Sequence, residues 1–257
     1  MRVICHLSDP GGGRCNEDLI GWCGNRVWVI DGGTDVAETI RPDDSISGSL
    51  WIARKLDGWL KACDASPPVA LRGFAEIVKN EIKELDLEGV GVSPICSISI
   101  VEFLSQSVDI YSVGDVTVYA PDVNLEVRNP MFADNETTGV RMDRKNGGSS
   151  ILKRRRGYLR GEQGWVLGGN PEVQTDITRI ARSDGKEQSI MIASDGYMRA
   201  SLSYSLYTST RQVYDATRTL GPEAVVRMIR ETEGSGALQC PESYKRSDDA
   251  SVVLVAG

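Results

Sequence analysis

The side chains with the most chemical promise in this chain are acids placed where apolar runs stop. Glu17 and Asp18 stand in NED, Asp31 ends the run in VWVIDGGT, Asp195 ends the run in SIMIASDG, and Asp248 and Asp249 open SDDASVVLV. An apolar run that stops at Asp, usually before Gly, fits a buried strand that delivers a carboxylate to the rim of a sheet. Carboxylates converging from distant strands repel one another unless a cation neutralises them. Ligation by oxygen alone selects hard ions such as Mg²⁺ or Mn²⁺ rather than zinc, which prefers sulfur and nitrogen. Two such ions about 3.5 to 4 Å apart can share a bridging carboxylate and hold a water whose pKa they lower, so that hydroxide attacks a phosphorus in line. The competing reading is that each Asp-Gly is an ordinary turn, since both residues dominate turns for steric and hydrogen-bonding reasons.

The elements that must position these acids can be read from periodicity. A strand is expected at Val3 to Leu7, then a Gly-rich loop at Pro10 to Gly13. NEDLIGWCG leads through a tight turn at Gly24-Asn25 into a strand at Val27 to Ile30, a hairpin pattern with acids at both ends. Ser47 to Cys63 and Val69 to Leu85 have apolar residues at helical spacing, separated by DASPP, which predicts an antiparallel helix pair. Ile95 to Leu104 and Val108 to Ala120 alternate and are joined by SQS, which predicts a second hairpin. Pro121 to Gln163 is irregular. Strands at Ile190 to Ala193 and Val252 to Val255 bracket two predicted helices, Ser205 to Leu220 and Pro222 to Glu233. Hairpin-like spacing with segregated helix pairs, each with one apolar face, implies an α+β fold: a four-layer α/β/β/α sandwich of two antiparallel sheets flanked by helix pairs. No linker divides the chain, so one domain over residues 1–257 is expected.

The 257 residues suit a domain that buries about 70 to 75% of its unfolded surface. A net charge of −7 disfavours general nucleic-acid binding, which rests on neutralising phosphates with Lys and Arg. The longest apolar runs fall far short of the ~20 residues that cross a bilayer, and MRVICHLSDPGGG lacks the hydrophobic region of a signal peptide; no membrane association and a cytoplasmic location are expected. The six cysteines form no CxxC pair or framework spacing, which argues against a zinc knot and a disulfide scaffold. The lone histidine, His6, leaves most Ser-His-Asp arrangements without their base.

NED, VIDGG, the VGD of SVGDVTVY, ASDG and SDDASVVLV occur in the order and approximate spacing of the metal-dependent protein phosphatases, the protein phosphatase 2C family, which this chain resembles from Asn16 to Val255. The sandwich inferred above is also that family's fold. The resemblance implies a serine/threonine protein phosphatase acting on phosphorylated proteins, with Asp31, Asp195 and Asp248 as the catalytic acids. Asp31 resembles the ligand bridging two Mg²⁺ or Mn²⁺ ions. The Gly32 carbonyl and Glu17 would complete one ion's shell; Asp195 and Asp248 would hold the other. Asp115 of VGD resembles the ligand of a third, weaker ion. Asp18 and Asp249 would stand behind the ligands. Asp249 occupies a place where the family more often has Asn, so Asp249→Asn is expected to be tolerated.

The departures from the family pattern bear on mechanism. Many members read DGHGG, with the His as general acid for the leaving alkoxide; here Gly33 stands in that place. General acid catalysis is typically worth about 10²- to 10⁴-fold, so its loss slows alkyl esters most and aryl esters least. His6 is a candidate replacement if its strand lies beside the site. Gly13 stands where the family places a phosphate-gripping Arg, with Arg14 one residue closer to Glu17 and still able to meet a phosphate bidentately. Arg141, Arg144, Lys145, Lys153, Arg154, Arg155, Arg156 and Arg160 form a basic stretch near the family's variable flap, either a docking surface for acidic or phosphorylated partners or a solvated loop. A pseudophosphatase that keeps the fold as a binding module is the alternative function. A haloacid dehalogenase-type enzyme fits poorly, because Val29 occupies the position its nucleophilic Asp requires.

Overall fold

The computed structural model describes residues 1–12, 15–86, 89, 91–129, 165–182, 187–235 and 247–257. Among these residues, ten strands form two five-stranded antiparallel sheets. The elements run β1 (Arg2–Asp9), β2 (Leu19–Cys23), β3 (Arg26–Gly32), α1 (Gly48–Ala62), α2 (Pro67–Leu85), β4 (Cys96–Phe103), β5 (Ser107–Val113), β6 (Thr117–Ala120), β7 (Leu125–Val127), β8 (Asp176–Ala181), β9 (Ser189–Ala193), α3 (Asp195–Leu202), α4 (Thr210–Leu220), α5 (Pro222–Ser235) and β10 (Ala250–Ala256). One sheet has the order β2-β3-β4-β5-β8 and the other β1-β10-β9-β6-β7.

The near-continuous apolar strands are explained by burial on both faces. On β3, Trp28 and Ile30 join the cluster beneath α1 and α2, while Val27 and Val29 point into the layer between the sheets. On β9 and β10, Met191, Ala193, Val252 and Leu254 meet α3, α4 and α5, while Ile190, Ile192, Val253 and Val255 fill the inter-sheet layer. Three apolar layers therefore separate helices, sheet, sheet and helices, and the four-layer sandwich is the observed α+β architecture. Among the described residues the second helical layer holds three helices rather than a pair. Local signals set the helix starts: the Ser47 hydroxyl accepts the Leu50 N–H at 3.1 Å, and Pro67 opens α2 where no N–H is needed.

Five details depart from expectation. Val108 to Ala120 is two strands in different sheets, β5 and β6, broken at Gly114, whose φ of 93° is costly for any residue with a Cβ and whose Cβ would overlap the Ser97 hydroxyl. Alternation continues across that corner, so periodicity alone does not reveal it. β7 lies inside the stretch read as irregular, and β8 is an edge strand with mostly exposed side chains and hence a weak apolar signal. ASDG opens a helix, α3, instead of ending in a turn, and the helix expected from Ser205 starts at Thr210. No described helix is long and apolar enough to cross a membrane.

Candidate metal centre

The acids meet at one rim because both sheets end strands there. Asp31 leaves β3 opposite Ser97 of β4, and the Ser97 hydroxyl bonds the Asp115 carboxylate in the β5–β6 corner. The loop after Asp31 is pinned onto α1: Gly33 donates its N–H to the Ile95 carbonyl at 2.9 Å, and its own carbonyl accepts the Ser49 hydroxyl. Asp35 accepts the Gly48 and Ser49 N–H groups at 2.9 and 3.1 Å, a carboxylate at the positive end of a helix. Gly33 thus contributes backbone only.

From the other sheet, β9 leads into Asp195 at the first position of α3, and Asp248 and Asp249 precede β10. A Cβ on Gly196 would overlap the Asp249 carbonyl, so glycine is what lets the start of α3 lie against this segment. Asp249 accepts the Gly11 N–H on Oδ1 at 2.8 Å and the Glu17 N–H on Oδ2 at 2.7 Å. It thereby fixes the backbone carrying Glu17 and ties it to the loop after β1. With both oxygens taken by N–H donors, this carboxylate has a structural role that an Asn cannot copy, because the amide offers one acceptor.

The electrostatics record how tightly the acids are gathered. Asp31 is pushed well above the usual carboxylate range, by burial first and then by Asp18, Asp195, Asp115 and Asp248. Asp18 is pushed up to about 8 by burial, against hydrogen bonds from Ser194 and Ser251, with Asp249 and Asp248 adding repulsion. One of its oxygens, Oδ2, is buried without a hydrogen-bond partner. Burial also raises Asp115, opposed by hydrogen bonds from Ser97 and its own N–H, and Asp248 raises it further. Such a set holds its full charge only beside a cation. The oxygen-only donors and the orphaned Asp18 oxygen fit a hard divalent ion. Among the described residues no three acidic, His or Cys side chains already close round one point. Two of the acids have other partners: Asp249 holds backbone, and Asp248 accepts Arg199 Nη2 at 2.8 Å.

Arg199 was not singled out in the sequence, nor were Glu233 and Arg230, which complete its network. The available signal was the spacing of four between Asp195 and Arg199, one turn on a helix face, legible only once ASDG is known to start a helix. Arg14 and the basic stretch Arg141 to Arg160 lie outside the described residues. The exposed His6 ring rests against Trp22 at a centroid distance of 5.5 Å, where β1 passes β2, so its surroundings give no support to a role as the missing acid. A cleft of about 410 Å³ adjoins the acids, lined among others by Glu17, Thr34, Ser247 and Asp249, with Arg41 as the basic residue in its described lining. Arg41 is half-exposed and ion-paired to Asp35 at 3.3 Å.

The sequence matches no protein-family model and no curated protein. Solved structures do match along nearly the whole chain. The serine/threonine phosphatase Stp1 from Staphylococcus aureus has a TM-score of 0.60 at 13% identity, covering 100% of this chain and 96% of that one. The PPM Ser-Thr phosphatase MsPP from Mycobacterium smegmatis, in complex with cacodylate, has a TM-score of 0.56 at 17% identity, covering 99% and 98%. PppA, described as a key regulatory component of T6SS in Pseudomonas aeruginosa, has a TM-score of 0.58 at 13% identity, covering 98% and 96%. The chain therefore has the fold of the PPM, or protein phosphatase 2C-like, Ser/Thr phosphatases.

Proposed function

We propose that this chain is a single-domain, divalent-metal-dependent phosphatase that hydrolyses phosphoserine or phosphothreonine on proteins. The observation carrying this reading is the convergence of Glu17, Asp31, Asp115, Asp195 and Asp248 on one rim of a fold shared with Ser/Thr phosphatases. Asp31 would be the central ligand, with Glu17, the Gly32 carbonyl and Asp195 around it and Asp115 at the corner. A Mg²⁺ or Mn²⁺ held there would supply acidification of a water near neutral pH and positive charge for the phosphoryl oxygens.

The protein's own groups set the frame. Asp249 holds Glu17 in place, Ser97 orients Asp115 beside Asp31, and the pinned DGG loop keeps Asp31 at the rim. Arg41, paired with Asp35, would be the cation of the described cleft lining available to a phosphorylated segment. Gly33 brings no acid to the leaving oxygen, so aryl phosphates, whose leaving groups need little protonation, are turned over best. The pseudophosphatase reading draws its support from the engagement of Asp248 by Arg199.

The test is hydrolysis of an aryl phosphate and of a phosphothreonine peptide with Mn²⁺, Mg²⁺ or EDTA, beside Asp31→Asn. Metal-dependent turnover that vanishes in the variant is expected, with the aryl ester favoured. Wild-type turnover in Asp31→Asn would overturn the assignment of the acids. Absence of turnover with every metal, despite measurable Mn²⁺ binding, would select the pseudophosphatase.

A further inference from the structure

Among the described residues, Arg199 is a buried arginine. It lies one helical turn after Asp195 on α3, on the face that meets the acids, and its side chain is 5% exposed. A guanidinium stays protonated under all ordinary conditions, and a buried one must be paired. Its Nη2 meets Asp248 at 2.8 Å and its Nη1 meets Glu233 at 3.5 Å. Glu233 is itself held by Arg230 at 2.9 Å, by the Tyr204 hydroxyl at 3.1 Å and by the Ser247 hydroxyl. Arg230 continues to Asp9 at 2.8 Å. The chain Asp248–Arg199–Glu233–Arg230–Asp9 thus alternates in sign and is anchored on α3, α5 and the end of β1.

We infer that Arg199 stands in for one of the two divalent ions: locked against Asp248 by α3 and α5, its guanidinium neutralises that side of the acid cluster, and the chain binds one tight ion, centred on Asp31. This inference rests on the metal-dependent reading above and changes its stoichiometry. An ion at Asp248 would have to displace a buried guanidinium from its partner and then lie beside it, a like-charge contact in a poorly solvated place. The charges that act most on Asp31 are carboxylates, those of Asp18, Asp195, Asp115 and Asp248.

The experiment counts ions rather than turnover. The full chain is titrated with Mn²⁺ by calorimetry and by the electron paramagnetic resonance of the free ion, with folding checked by circular dichroism. One tight ion is expected for the wild type, none for Asp31→Asn and two for Arg199→Met, where Glu233 keeps Arg230 as its partner. The double variant Arg199→Met/Asp248→Asn removes the pair without stranding a charge and should keep one tight ion. Two tight ions in the wild type, or one in a folded Arg199→Met, would overturn the inference while leaving the metal-dependent reading intact. A wild type that binds no ion would overturn both. Should Arg199→Met not fold, the double variant decides: loss of its ion, or a weakening beyond about tenfold, the least expected when even an outer partner of a ligand is lost, refutes the substitution of guanidinium for metal.

Discussion

Asp249 shows how a residue beside a metal centre can be fixed by hydrogen bonding rather than by ligation. Its two oxygens accept the Gly11 and Glu17 N–H groups, so Asn would turn an NH₂ toward an N–H and leave a donor unpaired. Asp249→Asn is accordingly expected to lower unfolding stability by about 1 to 3 kcal/mol and to weaken Mn²⁺ binding as Glu17 relaxes. Chemical denaturation and a Mn²⁺ titration check this; a variant matching the wild type in both would restore the tolerance expected from the sequence. Asp31, Asp195 and Asp248 stand out in the sequence because each borders an apolar run, a contrast visible in one dimension. The role of Asp249 does not, since its partners are backbone groups 238 and 232 residues away. Arg199 was hidden for a related reason: a basic residue acquires meaning only from the charges that a tertiary fold places round it.

At the scale of elements, the sheet containing β3 is closed at its edge by a charged pair. Asp109 of β5 is directly opposite Arg179 of β8 and accepts its Nε at 2.8 Å, along with the Ser107 hydroxyl at 2.9 Å. Arg179 first, then Ser107 and Tyr111, hold the Asp109 carboxyl below the usual carboxylate range. A depressed acid lends stability that is present above its unfolded pKa of about 4 and is lost as pH falls through the lower folded value. The gap in unfolding free energy between wild type and Arg179→Met should therefore be full at neutral pH and close as the pH drops below about 4. A gap independent of pH would show that packing of the arginine stem, rather than the ion pair, holds β8. The elements with strong apolar rhythm were readable from sequence. β8 was not, because an exposed edge strand has little rhythm to show, and the β5–β6 corner was not, because alternation does not say which sheet a strand has joined.

At the scale of the whole molecule, order of motifs and layering agree: the acids fall at strand ends, and those ends share a rim because antiparallel hairpins return there. The fold was legible because each of its three apolar layers leaves a mark in the sequence, in strands apolar on both faces and helices apolar on one. The layer between the sheets has a mechanical meaning as well. Asp31 belongs to one sheet, while Asp195 follows β9 and Asp248 precedes β10 of the other, so the spacing of the donors is a gauge of how the two sheets are registered, with Val29, Ile192 and Val253 as the spacers. Thinning that spacer with Ile192→Ala, whose cavity costs about 2 to 5 kcal/mol, should loosen the ion as well as the fold, although the side chain lies in the apolar layer and not at the site. Unchanged Mn²⁺ affinity in a measurably destabilised Ile192→Ala would show that the rim keeps its own dimensions. A loosened ion would mean that this centre works as a calliper, its jaws set by hydrocarbon.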